Sequence, residues 1–231
     1  MDENLNENVN QEEQGLNVEE LKNETQETIN QVKENLKNVD VKEEAKAAKG
    51  FIGELIKNPL DKVNEIANDS ANKFFKTALV LLIAWVVIEL IGGLDSLFDD
   101  YPELFERILD FVKVGLAPIV SVLGMSFVLL WLNKKEKKSL ITYITTITTV
   151  KLPLIVADLA GLFTLIDYSI SKITGKVYTF ARLISTVLLF FAIKFLSNEQ
   201  DDKKAFHKFV IVEAVWTVLA FIISFLGISM Y

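Results

Sequence analysis

Residues 77–93 read TALVLLIAWVVIELIGG, and Glu89 is the only charged side chain among them. A helix that crosses the roughly 30 Å of hydrocarbon in a bilayer needs about 20 such residues. Similar apolar runs recur along the rest of the chain. The sequence therefore predicts an all-α polytopic membrane bundle (residues 74–231) of five transmembrane helices, at about residues 77–93, 114–132, 141–166, 177–196 and 208–230.

An acidic head precedes the bundle. Residues 1–50 contain 13 Asp and Glu against 6 Lys and Arg, which is the whole net charge of −7, and residues 51–231 balance at 18 against 18. Such a head disfavours nucleic acid as a partner, because phosphates repel it. Residues 1–15 are polar, lack the pattern of a signal peptide, and are predicted to be disordered.

The second part of the head has a thin apolar pattern, with Leu21, Ile29, Val32, Leu36 and Val39 at helical spacings. Two interpretations stay open: a solvated helix, or a coiled-coil or partner-docking helix. Protein partners in the cytoplasm are expected to bind through residues 1–73.

Residues 51–73 form an amphipathic lead-in to the first span. Asn58-Pro59 is typical of a helix N-cap followed by proline at the first helical position. Apolar side chains are expected on one face of the helices on either side: Phe51, Ile52, Leu55, Ile56, Leu60, Val63, Ile66 and Ala67. Such a segment can lie in the membrane interface or pack against the bundle, and its mixed charge favours packing.

Lysine placement predicts the orientation. The loop after the second span reads KKEKK at residues 134–138, and Lys203, Lys204 and Lys208 follow the fourth span. The loop after the first span is acidic, with Asp95, Asp99, Asp100 and Glu103. We therefore expect a multi-pass cell-membrane protein with a cytoplasmic N-terminus and an extracytoplasmic C-terminus.

Smaller patterns predict local packing. Leu104, Ile108, Phe111 and Val112 indicate a short interfacial helix that feeds the second span. Pro118, with Gly115 and Gly124, predicts a kink and a close helix approach in the second span, and the Ala157–Gly161 pair indicates a packing face. Trp131 and Tyr178 are expected at the membrane interface, and Trp85 and Trp216 in the packed interior.

Charged residues inside the spans are the candidate functional site, because an ionisable group in hydrocarbon is costly. They are Glu89, Lys151, Asp158, Arg182 and Glu213. Their estimated depths permit a buried Asp158–Arg182 pair that Glu89 could join, and a Lys151–Glu213 pair. Pairing that fixes helix register is one interpretation, and a polar path for an ion, proton or small solute is the other.

Pro153 belongs to the same candidate network. Proline releases the carbonyl four residues earlier, here that of Thr149, and usually kinks the helix. A freed carbonyl, threonine hydroxyls and Lys151 could together line a small polar cavity. The alternative is that the threonines satisfy the kink themselves.

Several kinds of chemistry are excluded or unsupported. The absence of cysteine rules out disulfides and thiolate sites, and the single His207 rules out paired-histidine metal motifs. No nucleophile has a base at a recognisable spacing. We therefore expect no enzymatic activity, no cofactor and no metal.

The layout resembles the Yip-type superfamily of five-span membrane proteins, including its bacterial members. The resemblance covers residues 55–230 and rests on span number, span spacing and the lead-in NPLDKVNEIA at residues 58–67. The Asp-Leu-Tyr-Gly-Pro motif of that family is missing, since Asp158-Leu159-Ala160-Gly161 shares only single letters with it. The cysteine-rich zinc ribbon of some bacterial relatives is missing too.

Two functions follow as hypotheses. The resemblance implies a non-enzymatic scaffold or adaptor that organises membranes or partner proteins. The charged span residues suggest instead a small transporter or channel component. The direction in which those side chains point should separate the two functions.

Overall fold

The computed structural model describes residues 18–37, 40–98 and 104–228. The predicted disorder of residues 1–15, the acidic side chains Asp99, Asp100 and Glu103, and the end of the fifth span lie outside these residues. Across the described ranges the chain forms nine α-helices and no strand: α1 (Val18–Lys37), α2 (Val41–Lys57), α3 (Pro59–Ala67), α4 (Phe75–Gly92), α5 (Leu104–Leu132), α6 (Leu140–Val150), α7 (Leu152–Gly161), α8 (Ser171–Leu196) and α9 (Asp202–Ser224).

The predicted all-α membrane bundle is confirmed. Helices α4, α5, α8 and α9 are each long and apolar enough to span a bilayer. Helix α6 and the stretch 152–165 pass the same test together, bent by 46° at their junction, so the number of spans is five when the pair counts as one. Large apolar side chains stay exposed along these helices, as a lipid-facing surface requires, for example Ile83, Val87, Leu183, Val218 and Phe221.

The bent pair crosses the bundle from end to end. Lys138, just before α6, donates hydrogen bonds to the carbonyl of Phe195 (3.0 Å) at the end of α8 and to that of Ala67 (2.9 Å) at the end of α3. The pair therefore begins where α8 ends, and it finishes near the residues where α8 begins. A re-entrant loop would return to its starting side.

Lys138 joins two helix ends in a favourable way, because a cation near a helix C-terminus interacts well with the helix dipole. Its ammonium also donates to Asn68 Oδ1 at 2.9 Å. Burial lowers the pKa of Lys138 from its usual value, and the charge of Glu136 acts in the opposite direction.

The lead-in packs against the protein, the alternative that its mixed charge favours. Helix α3 lies against α6 and α8, and α2 lies against α4. Phe51, Leu55, Val63 and Ile66 are buried. Ile56 and Leu60 are the exceptions, since both were expected on the apolar face but are 76% and 38% exposed. Helix α2 presents Phe51 and Leu55 to the bundle and turns Ile56 outward.

The start of α3 differs in detail from the prediction. Asn58 stands at the N-cap and Pro59 begins the helix, but the Asn58 side chain makes no capping hydrogen bond. Lys62 stabilises the corner instead. Its ammonium lies 2.6 Å from Glu54 of α2 and 2.9 Å from Glu65, and 4.2 Å from the centre of the Phe74 ring.

The first part of α5 also differs from the prediction. Residues 104–112 are not a separate interfacial helix but the start of one continuous helix of 29 residues. No proline or glycine separates them from the second span, and Lys113 pairs with Asp110 at 2.9 Å along the helix. The charged side chains lower the hydropathy of this stretch, which is why the sequence did not join it to the second span. They do not interrupt the helix.

Candidate functional site

Two clefts lie within the bundle, one on each side of Tyr178. The first, here called the cationic cleft, has a volume of about 210 Å³. It is lined by Met125, Val150, Lys151, Leu154, Tyr178, Arg182, Ser185, Thr186, Leu189, Glu213, Trp216, Thr217 and Ala220. The second, here called the carboxylate cleft, has a volume of about 380 Å³ and lies between α4, α7 and α8, where Glu89 and Asp158 line it.

Three charged side chains meet in the cationic cleft, and each comes from the middle of its span. Lys151 lies at the junction of α6 and α7, Arg182 lies near the centre of α8 (Ser171–Leu196), and Glu213 lies at the centre of α9 (Asp202–Ser224). Their charges act on one another, since the fields of Glu213 and Arg182 both reach Lys151. The cleft therefore brings three charged side chains together near the middle of the apolar helices, where a charge is costly.

These three side chains are not joined by close ion pairs. None of the salt bridges within the described ranges includes Lys151, Arg182 or Glu213. Lys151 is only 8% exposed, so it is a buried cation without a salt bridge. Lys151 and Glu213 therefore line the same cleft, but they do not form the predicted ion pair.

The break between α6 and α7 positions Lys151. Pro153 stands in the first turn of α7, where its missing N–H costs no helical hydrogen bond. In the helix before it, the hydroxyls of Thr145, Thr146 and Thr149 donate to the carbonyls four residues earlier, at 2.7–2.8 Å. Such bonds favour helix bending. The threonine hydroxyls are therefore used in hydrogen bonds that favour the bend. Lys151 is the polar side chain of this segment that lines the cleft.

Hydroxyl groups complete the wall of the cationic cleft. Thr186 and Thr217 donate to carbonyls of their own helices, those of Arg182 and Glu213. Ser185 differs, because its Oγ is buried and has no hydrogen-bond partner in the described structure. The hydroxyls of Ser121 and Thr148 are also buried without a partner in the described structure, but neither lines the cationic cleft.

The carboxylate cleft contains two acidic side chains around one indole. Trp85 Nε1 donates to Asp158 Oδ2 at 2.8 Å and to Glu89 Oε1 at 3.2 Å. The two carboxyls are therefore close neighbours that accept from the same N–H group. Two carboxylates this close repel each other, and one proton shared between them would remove that repulsion.

Asp158 and Arg182 do not form the predicted ion pair. Helix α8 begins at Ser171 rather than near residue 177, because the polar turn around Lys172 and Lys176 continues the helix. Arg182 lines the cationic cleft one helical turn beyond Tyr178, whereas Asp158 lines the carboxylate cleft with Ser171, Thr174 and Gly175. Glu89, which was expected to join an Asp158–Arg182 pair, shares the Trp85 donor with Asp158 instead.

Tyr178, which the sequence placed at the membrane interface, lines both clefts and lies between them. Sequence reasoning also missed the donor role of Trp85, although Trp85 and Glu89 stand four residues apart on one helix, a spacing that brings side chains together.

Two of the glycines that the sequence predicted at close helix contacts differ in their surroundings. A Cβ atom on Gly124 would lie 2.5 Å from Cζ3 of Trp216, so α5 and α9 approach closely there, as predicted. Gly161 behaves differently from its predicted packing role. No atom lies within 4 Å of its Cβ position, and it borders the carboxylate cleft.

No protein family, curated protein or solved structure matches this chain. Within the described ranges, no group of three or more His, Asp or Glu side chains could hold a metal ion. The function has to be inferred from the two clefts themselves.

Proposed function

We propose that this protein is a small transporter or channel component, with the solute path in the cationic cleft. One observation carries the proposal: Lys151, Arg182 and Glu213 converge from mid-span on a cleft and do not neutralise one another in salt bridges. Ion pairs that only fix helix register would be in direct contact. Charges that line an open space can interact with a solute.

The adjoining carboxyl pair supports transport as well. Glu89 and Asp158 share the Trp85 donor, and Tyr178 lies between them and the cationic cleft. A proton taken up or released by this pair changes the charge next to the solute path. The position of this carboxyl pair beside the solute path therefore favours proton-coupled transport of the solute.

Solute flux into liposomes tests the proposal. Protein in liposomes is diluted into isosmotic potassium chloride or potassium acetate with valinomycin, or into glycerol, and swelling is followed by light scattering. We expect liposomes with the wild-type protein to swell faster than empty liposomes for at least one solute. The Lys151→Leu variant should lose this additional swelling, and the Asp158→Asn variant should show less of it.

Lys176→Leu is the matched control, because Lys176 is an exposed lysine of α8 outside the cationic cleft. It should keep the wild-type rate. Swelling at the rate of empty liposomes for every solute, or equal swelling of wild type and Lys151→Leu, would rule out a transport path through Lys151.

A scaffold or adaptor of the Yip-like type is the second candidate. It is supported by the way α2 and α3 pack on the bundle while charged side chains such as Glu54, Lys57 and Asp61 stay exposed. Deletion of residues 1–39 removes the acidic head but keeps Asp40, which caps α2 by accepting from the amides of Lys42 and Glu43. Crosslinked partners that are lost on this deletion would favour the scaffold.

A further inference from the structure

We propose that the cationic cleft binds a small monovalent anion at its Lys151, Arg182 and Ser185 side chains. This inference rests on the proposed function and names the class of its solute. Two cations and one carboxylate leave the cleft with an excess of one positive charge. One monovalent anion would neutralise it.

Lys151 is the strongest reason for an anion. Its side chain is more than nine-tenths buried, and no salt bridge in the described structure neutralises it. Leaving a buried charge unpaired is expensive, and one carboxylate cannot fully compensate two cations. An anion beside Lys151 would remove that cost.

Ser185 supplies the second, independent observation. Its Oγ is buried without a partner, although it lies on the wall of the cleft. Tyr178, Arg182, Ser185 and Leu189 follow one another at spacings of four, three and four, so they share one face of α8. The hydroxyl and the guanidinium therefore point toward the same space, and both are donors that an anion accepts from.

The size and access of the cleft limit the anion. A volume of about 210 Å³ is equivalent to about seven water molecules, whose share of liquid volume is about 30 Å³ each. Arg182 and Thr186 are exposed, so the cleft reaches the surface of the bundle beside α8. A guanidinium matches the planar geometry of carboxylate and phosphate groups. Such a group could come from a free solute or from a lipid headgroup.

Iodide tests the site, because it is an anion that quenches tryptophan fluorescence and Trp216 forms part of the cleft wall. The probe is potassium iodide added to full-length protein in neutral detergent. Half-exposed Trp131 is replaced in all samples (Trp131→Phe), so that it does not add collisional quenching. We expect quenching that saturates with iodide, and only linear quenching with neutral acrylamide.

The variants have opposite expected effects. Lys151→Gln and Arg182→Gln should each weaken iodide binding about tenfold, and Glu213→Gln should strengthen it by a similar factor, because each change alters the charge of the cleft by one unit. Lys176→Gln should change nothing. Equal affinity in all these proteins, or linear quenching in the wild type, would overturn the proposal. Exposed Arg182 keeps the test valid if Lys151→Gln does not fold.

Competition identifies the source of the anion. Displacement of iodide by acetate or inorganic phosphate indicates a free solute. Displacement by dihexanoyl phosphatidic acid, but not by dihexanoyl phosphatidylcholine, indicates a lipid headgroup. Saturable iodide binding without flux in liposomes would support the anion site and contradict the proposed transport. Flux without charge-dependent iodide binding would support transport and contradict the anion site.

Discussion

At the scale of single residues, depth in the span decides the meaning of a charge. Lys151 lies about 16 Å along the helix axis from Leu140, at a rise of about 1.5 Å per residue. A lysine near a span end can extend its ammonium to the interface, but one at mid-span cannot. Lys151 therefore needs a polar environment inside the protein, and the cationic cleft provides it.

Gly124 offers a test of packing at this scale. Gly124→Ala should destabilise the protein by about 1–3 kcal/mol, because the new methyl group would meet the Trp216 ring at 2.5 Å in a well-packed contact. For a chain of this size that corresponds to a fall in melting temperature of about 2–4 °C for each kcal/mol. The measurement is circular dichroism at 222 nm during heating in detergent.

Gly161→Ala is the matched control for that prediction. It is the same substitution near the end of a helix, but no atom lies within 4 Å of the new methyl group. Its melting temperature should stay the same or rise slightly, because alanine favours helix over glycine. Equal losses in both variants would mean that Gly124 does not mark a close contact between α5 and α9.

At the scale of elements, the corner between α2 and α3 depends on Lys62. Lys62→Met should loosen α2 from the bundle by about 1 kcal/mol, through loss of the cation–π contact and of the partly exposed ion pairs. We expect hydrogen exchange of the amides of residues 41–57 to accelerate roughly fivefold. Lys57→Met, at an exposed lysine with no salt bridge in the described structure, should leave the exchange unchanged.

The pH dependence of this corner follows from the same contacts. Burial would lower the pKa of Lys62, but the hydrogen bonds and charges of Glu54 and Glu65 outweigh burial and raise it above the usual 10.5. A raised pKa adds stability that is fully present below 10.5 and is lost as pH rises through the folded-state value. Wild-type protection of α2 should therefore be constant near neutrality and fall only above pH 10.5, whereas Lys62→Met should lack this fall.

Element boundaries were harder to predict than the elements themselves. The apolar runs predicted all the spans because about 20 apolar residues have few other uses. Hydropathy could not place the starts of α5 and α8, since both begin with charged turns that continue the helix at Leu104 and Ser171. A helix can extend through charged residues when no helix-breaking residue interrupts it, whereas hydropathy identifies only the apolar part of the helix.

At the scale of the whole molecule, the sequence identified the charged residues of the site but not which of them meet. The sequence identified Lys151, Arg182 and Glu213, because charges in apolar runs are conspicuous. It paired Arg182 with Asp158, because a span starting near residue 177 would place both in the outer half. In the structure Asp158 lines one cleft with Ser171, Thr174 and Tyr178, whereas Arg182 lies one turn farther along α8 in the other cleft, so the two side chains do not meet. Contacts between helices depend on depth and rotation, which one sequence does not specify.

The direction in which the molecule threads the membrane is the remaining prediction. The lysine-rich loop 133–139 and the loop 197–201 lie at one end of the bundle, where Asn198 donates to Glu136 at 2.6 Å, and the turn 162–170 lies at the other end. Basic loops stay in the cytoplasm. Because the chain has no cysteine, Lys135→Cys, Gln200→Cys and Lys172→Cys are reporters without background. In intact cells an impermeant maleimide should label only Lys172→Cys, and all three after permeabilisation. Labelling of Lys135→Cys and Gln200→Cys instead would reverse the orientation, and opposite results for those two would show that α6 and α7 do not cross together.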